Sequence, residues 1–208
     1  MMTDTIEKES FVKHLREETM RLHKEGGIFE TDPGKKRKDP TLHEFIQMLE
    51  QRYLLHRCLE GLIQKHQHLP AIAGVWKDRY LHTKNLVRDL EFFERDLGSI
   101  KATAGTQSVI ERMIEVTEKN PVAVLGHLYT FEGSNNGNRM LSEKYREIFS
   151  LPENGAGTYY HDPYGESQKE FWAEFKTNLE NQVLSEAEKS VITEAALDIF
   201  RCMLQKRI

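Results

Sequence analysis

Hydrophobic positions recur at spacings of three and four along nearly the whole chain, and no segment alternates convincingly over the length of a strand. A first helix is predicted from about residue 4 to 25, with Phe11, Leu15, Thr19, Leu22 and His23 on one side and Gly26-Gly27 ending it. After the polar loop ETDPGKKRKDP, a second helix opens at Pro40 with a capping-box pattern, Thr41-Leu42-His43-Glu44, and runs through Phe45, Leu49, Tyr53, His56, Leu59 and Ile63. HLPAIAGVW breaks the pattern before a third helix over about 77–97, marked by Tyr80, Val87, Leu90, Phe93 and Leu97. A fourth spans about 105–119 (Val109, Met113, Val116) and stops before Asn120-Pro121; a fifth covers about 121–150. The Gly/Pro-rich SLPENGAGTYYHDPYGES, with three tyrosines, reads as a loop. A helix over 166–182 (Phe171, Phe175, Leu179) follows, and Ser185-x-x-Glu188 caps a last one carrying Val191, Ile192, Ala195, Ala196, Ile199, Phe200, Met203 and Leu204. The pattern predicts one all-α domain over residues 1–208, without internal repeats.

The fifth helix has an odd centre. Apolar residues lead in (Val122, Leu125, Leu128, Tyr129) and out (Met140, Leu141, Tyr145, Ile148, Phe149) at helical spacing. Between them stand Gly133, Ser134, Asn135, Asn136, Gly137 and Asn138, nearly the worst helix formers available.

Composition narrows the function classes. At 208 residues, 38% hydrophobic and 30% charged, the chain has enough apolar material for one substantial core. A formal charge of −4 argues against nucleic-acid binding, which draws on a basic face. Cys58 and Cys202 lie far apart in helical contexts, as small core residues of a reducing compartment do. The polar start MMTDTIEKES has no apolar h-region, and no apolar run is long enough to span a bilayer, so the expectation is a soluble, cytoplasmic protein. KKRK at 35–38 reads as a solvated loop or as a dock for an acidic partner.

Several chemistries drop out. There is no GxSxG elbow and no P-loop, and none of the nine histidines has a glutamate three positions before it, as a four-helix di-iron site would need. His66 and His68, two residues apart, diverge on a helix. What remains is His23 on the apolar side of the first helix and the glycines of the fifth. Alone, His23 can be a hydrogen-bonded histidine at a helix end, and the glycines can mark a close helix crossing. Together they suggest a flat ligand between two helices: a neutral imidazole can hold a haem iron, and glycine lets backbone approach a porphyrin plane.

The residues carry a resemblance over some 190 positions. LREETMRLHKE resembles the proximal helix of haem oxygenases, with His23 at the iron-ligand position. The segment from Cys58 to Gly98 resembles the family's middle helices, HLYTFEGSNNGNRML its distal helix with a tyrosine and a GxxxG, and FKTNLENQVLSEAEKSVITEAALDIF its two C-terminal helices. The resemblance implies a haem oxygenase-like single-domain helical bundle. It also implies a monooxygenase that opens haem, both cofactor and substrate, to biliverdin, carbon monoxide and ferrous iron, using oxygen. Electrons would come from a ferredoxin, a flavoprotein reductase or a small reductant, the protein acting as a monomer with no membrane or nucleic-acid partner.

The implied site is equally specific. His23 holds the iron; Arg16, seven residues earlier, and Lys169 match lysines that hold the haem propionates; Gly133 and Gly137 approach the porphyrin; Tyr129 matches a tyrosine near the distal water network. Many relatives have an aspartate directly after the first distal glycine to organise that water; here Ser134 follows, and Ser134, Asn135 and Asn136 are the candidates to hold it. Phe131 and Ala173 stand where arginines are common. Ile199 and Phe200 are expected to line the pocket wall or the plain core. Two rival readings stay open: a non-catalytic haem carrier or sensor of the same fold, and a haem-free relative of the thiaminase type with a pocket nucleophile.

Overall fold

The computed structural model describes residues 10–25 and 39–206; the side chains of His23, Glu25, Phe200 and residues 202–206 lie outside that description, as do Gly26-Gly27 and the KKRK run. The order is α1 (Phe11–Glu25), α2 (Leu42–His66), a short α3 (Pro70–Ala73), α4 (Thr83–Phe92), α5 (Ala104–Lys119), α6 (Ala123–Phe149), α7 (Gln168–Glu180) and α8 (Glu186–Lys206), with 3-10 turns at Asp78–Tyr80, Leu97–Ser99 and Gly165–Ser167. No strand occurs among the described residues.

Local chemistry sets several of the helix ends. Thr41 Oγ1 accepts from the Glu44 amide while Glu44 reaches back to the Thr41 amide at 2.7 Å, a complete capping box. Ser185 and Glu188 repeat it before α8. Other ends are set by partners distant in sequence. The Glu180 carboxylate of α7 accepts from the Phe11 and Val12 amides, placing an anion on the positive end of α1. Helix α4 is much shorter than the 77–97 expected. Its Thr83 amide is capped by Glu60 of α2 at 2.8 Å, and Glu94 turns left-handed (φ 54°) just beyond its C-terminus. The HLPAIAGVW break contains α3, with Pro70 at its start, where proline costs no hydrogen bond.

The main core joins Leu15 of α1, Leu55, Leu59 and Ile63 of α2, Met113 of α5, Leu125 and Leu128 of α6, Phe175 and Leu179 of α7, and Ile192, Ala196 and Ile199 of α8. A second cluster gathers Phe45, Leu49, Leu86, Leu90 and Tyr160. The loop between α6 and α7 is not a solvated one. The buried Asp89 carboxylate accepts from the Tyr159 and Tyr160 amides, both at 2.8 Å, and pulls Tyr160 and His161 into the interior.

Buried histidines make the fold acid-sensitive. Burial pushes His127 down to about 4 and His161 down to about 3, and His56 well below its ordinary value. Each binds a proton in the unfolded chain below about pH 6.5 but not in the folded one, so the stability is complete above that pH and is lost as pH falls toward 4. Asp89, pushed up to about 7 by burial, and Glu60, also raised, act in the opposite sense. The balance is a net uptake of roughly one to two protons on unfolding. The urea midpoint of the haem-free protein is therefore expected to drop between pH 6 and 5 by an amount equivalent to roughly 2 kcal/mol. A flat profile there would show that water reaches these imidazoles in the folded state.

Candidate functional site

Helix α6 runs unbroken from Ala123 to Phe149 despite its centre, but its two halves are used differently. The first half is sealed. A Cβ on Gly126 would run into the Ile192 carbonyl oxygen and come within 2.9 Å of the Ala196 amide, so this glycine lets α8 pack against α6. Gly133 and Gly137 do no such work. A Cβ on Gly133 would meet only the edge of the Trp172 ring, at 3.5 Å, and one on Gly137 would meet nothing within 4 Å among the described residues. A close helix crossing therefore does not account for this pair. Ser134, Asn136 and Gly137 are exposed, forming a bare strip midway along the helix.

Two of the residues expected to hold water use hydrogen bonds within the helix itself. Ser134 Oγ donates to the Phe131 carbonyl at 2.7 Å, and Asn136 Nδ2 donates to the Gly133 carbonyl at 3.0 Å. Asn135 is turned the other way, into the interior, and is 2% exposed.

Three helices meet beside the strip. Tyr129, one turn before Gly133, packs its ring against Trp172 of α7 (5.3 Å between centroids), which stacks in turn on Phe175 at 5.4 Å and 11°. Burial raises the Tyr129 phenol; Thr19 and the Arg16 cation of α1 draw it back. The structure thus brings Arg16, Thr19, Tyr129 and Trp172 together. Lys169 is exposed one turn before Trp172, on the same side of α7 by register, and Lys176 Nζ lies 5.7 Å from the centre of the Trp172 ring. His23 is placed by its backbone in the last two turns of α1, two turns beyond Arg16; its side chain lies outside the described residues. A flat ligand carrying carboxylates fits these groups: bare backbone for its face, aromatic rings beside it and cations for its edge.

Other candidates sort differently. Phe131 is buried and packs on the His56 ring at 4.9 Å, so it is a core residue and supplies nothing to a ligand. Ile199 is fully buried in the core, while the Phe200 side chain lies outside the described residues. Burial pushes the Cys58 thiol up to about 11, which makes it a poor nucleophile. A buried polar cluster that the hydrophobic pattern does not announce lies behind the strip, built from Glu132 and Asn135 of α6, His82 before α4 and Tyr164 of the α6–α7 loop. Its one signal in the sequence is that the inward-facing stripe of α6 passes from Leu125 and Leu128 to Glu132, Asn135 and Ser142 without changing period.

The chain is an all-α helical bundle with a bare, glycine-lined strip beside aromatic and cationic side chains. The model of the Heme oxygenase family matches residues 9–205, and the chain belongs to that family. Heme oxygenase 1 of Gallus gallus is 27% identical over 196 residues, covering 92% of this chain and 66% of the chicken protein. Heme oxygenase 2 of Rattus norvegicus is 25% identical over 158 residues, 74% of this chain and 50% of the rat protein. The chain thus spans between half and two thirds of the length of these relatives. The fold matches heme oxygenase-1 from Synechocystis in complex with heme at a TM-score of 0.82, with 18% identity, covering 94% of this chain and 90% of that one. It matches heme oxygenase from Leptospira interrogans at 0.80, with 20% identity, covering 94% and 97%.

Proposed function

We propose that this chain is a haem oxygenase in activity as well as in family: a haem-degrading monooxygenase that yields biliverdin, carbon monoxide and ferrous iron. One observation carries the reading. Gly133 and Gly137 stand within a long helix at a place where, among the described residues, no neighbouring backbone needs the room, which points to a ligand as the reason for them. Bound haem supplies the iron at which oxygen is reduced and the porphyrin that is cut. The protein's own part is to hold and orient it. His23 would hold the iron through an imidazole nitrogen, a weaker electron donor than a thiolate. Arg16 and Lys169 pair with the propionates, Tyr129 lies between Arg16 and the strip, and Gly133, Ser134, Asn136 and Gly137 form the distal face. No flavin or nicotinamide motif appears in the sequence, so electrons come from a ferredoxin, a flavoprotein reductase or a small reductant. Among the described residues no helix is long and apolar enough to cross a membrane. The family resemblance alone suggests a cytoplasmic monomer.

The test is spectroscopic. Hemin added to the purified protein is expected to give a stable Soret band that decays to a biliverdin spectrum when reductant is added in air. A band that persists under turnover conditions would identify a haem carrier or sensor, and no band at all would exclude haem from the function. Arg16→Glu places an anion beside a haem carboxylate and removes a charge-assisted pair, so hemin affinity is expected to fall at least about tenfold. An unchanged hemin dissociation constant would make Arg16 an ordinary surface residue.

A further inference from the structure

The open face of the strip carries no carboxylate, yet one stands directly behind it. Glu132, the residue before Gly133, is 3% exposed and turned inward. Its Oε1 lies 2.7 Å from His82 Nε2, and its Oε2 accepts from the Tyr164 hydroxyl at 2.9 Å. Tyr164 Oη also lies 3.1 Å from His82 Nε2 and 3.2 Å from the Arg79 carbonyl. On the other side, Asn135 Nδ2 is 3.3 Å from the same imidazole nitrogen, and Asn138 Nδ2 donates to Asn135 Oδ1 at 3.2 Å. The cluster therefore runs from half-buried Tyr164, through Glu132 and His82, to Asn135 and Asn138 on the back of the glycine segment.

Proton counting shows what the cluster stores. An imidazole nitrogen and a carboxylate oxygen at 2.7 Å in the interior need a hydrogen between them, because two lone pairs there would repel. That hydrogen sits on His82 Nε2, which donates to the Glu132 carboxylate at Oε1, while the other carboxyl oxygen, Oε2, accepts from Tyr164. His82 Nδ1 is buried and makes no hydrogen bond. Such an atom is a place for a water.

We propose that Glu132 is the positioning acid of the pocket: with His82 it holds a proton behind residues 133–137 and sets the electrostatic field at the strip from inside the bundle. This rests on the haem reading. Other groups face the pair as well: Glu60 and His56 from α2, Arg79 and Tyr80 before α4, and Tyr160 beside His56. They are common to wild type and to a Glu132 variant, so a difference between the two reports Glu132.

The experiment compares wild type with Glu132→Gln, reading the pH midpoint of the acid-to-alkaline spectral change of the hemin complex beside the thermal stability of the haem-free protein. Removing a negative charge makes adding hydroxide at the iron easier, so the midpoint is expected to fall by at least about half a unit. A lower melting temperature with an unmoved midpoint would show a merely structural ion pair and overturn the proposal. A second measurement needs no variant. The proton between His82 and Glu132 should appear as a downfield, slowly exchanging NMR resonance of the wild type that shifts on adding zinc protoporphyrin, a diamagnetic probe. Its absence, or its indifference to the probe, also overturns the proposal. If wild type gives no Soret band with hemin, the haem reading fails and this one with it; a normal band with an unmoved midpoint rejects only the role of Glu132.

Discussion

His23→Ala is expected to abolish the histidine-type ferric spectrum of the hemin complex, and added imidazole is expected to restore it. Helix register puts His23 on the relevant side of α1. His23 stands seven residues after Arg16, two turns along α1, and Thr19 falls between them on the same side. Arg16 and Thr19 both act on the Tyr129 phenol across the gap to α6, so this side of α1 faces the helix that carries the glycine strip. A haem whose propionates meet Arg16 would extend along α1 toward position 23. Alanine there leaves a cavity the size of a ring, which free imidazole fills without needing a covalent link to the chain. Two outcomes would dismiss the assignment: a spectrum unaltered in the variant, or a spectrum lost in the variant that imidazole does not bring back. The first means that another group binds the iron; the second means that the substitution disturbed the fold rather than the ligand.

The helices were largely legible because each one buries a stripe at helical spacing, and because two of them begin with capping boxes that work locally. The ends that were misjudged are those set from elsewhere. Helix α4 starts where Glu60 of α2 reaches its first amide, and no residue near Thr83 could have announced that. The α6–α7 loop has a loop's composition, yet Asp89 ties its amides down and buries Tyr160. The glycine strip was legible as an anomaly, and the structure separates its residues by direction. Ser134 and Asn136 point outward and bond to their own helix, while Asn135 points inward to His82. Composition gives Asn135 and Asn136 equal standing; only the angular position on α6 distinguishes them. Glu132 was overlooked for the same reason, since a glutamate in a polar run reads as solvated until its partner is known.

Gly137 separates the two uses of glycine on α6 most cleanly. In an exposed helix interior glycine costs roughly 1 kcal/mol relative to alanine, because it gives up more backbone freedom on folding. Among the described residues a Cβ at this position meets nothing, so Gly137→Ala is expected to raise apoprotein stability by about that amount. Position 126 would give the opposite result, since a methyl group there collides with the backbone of α8. Haem reverses the sign at 137. With a porphyrin against the strip, the added methyl would meet the ring, so biliverdin formation is expected to slow or to shift to another meso edge. Gly137→Val sharpens the contrast: its side chain is larger and stiff at χ1, yet valine is no worse than glycine in a helix. The expected pairing is an apoprotein at least as stable as wild type with turnover reduced at least tenfold. Measuring the melting temperature without haem and the initial rate with hemin and reductant, on the same preparations, decides the matter. A Gly137→Val protein that is both stable and fully active would place the ligand away from this strip and leave the glycines without a function.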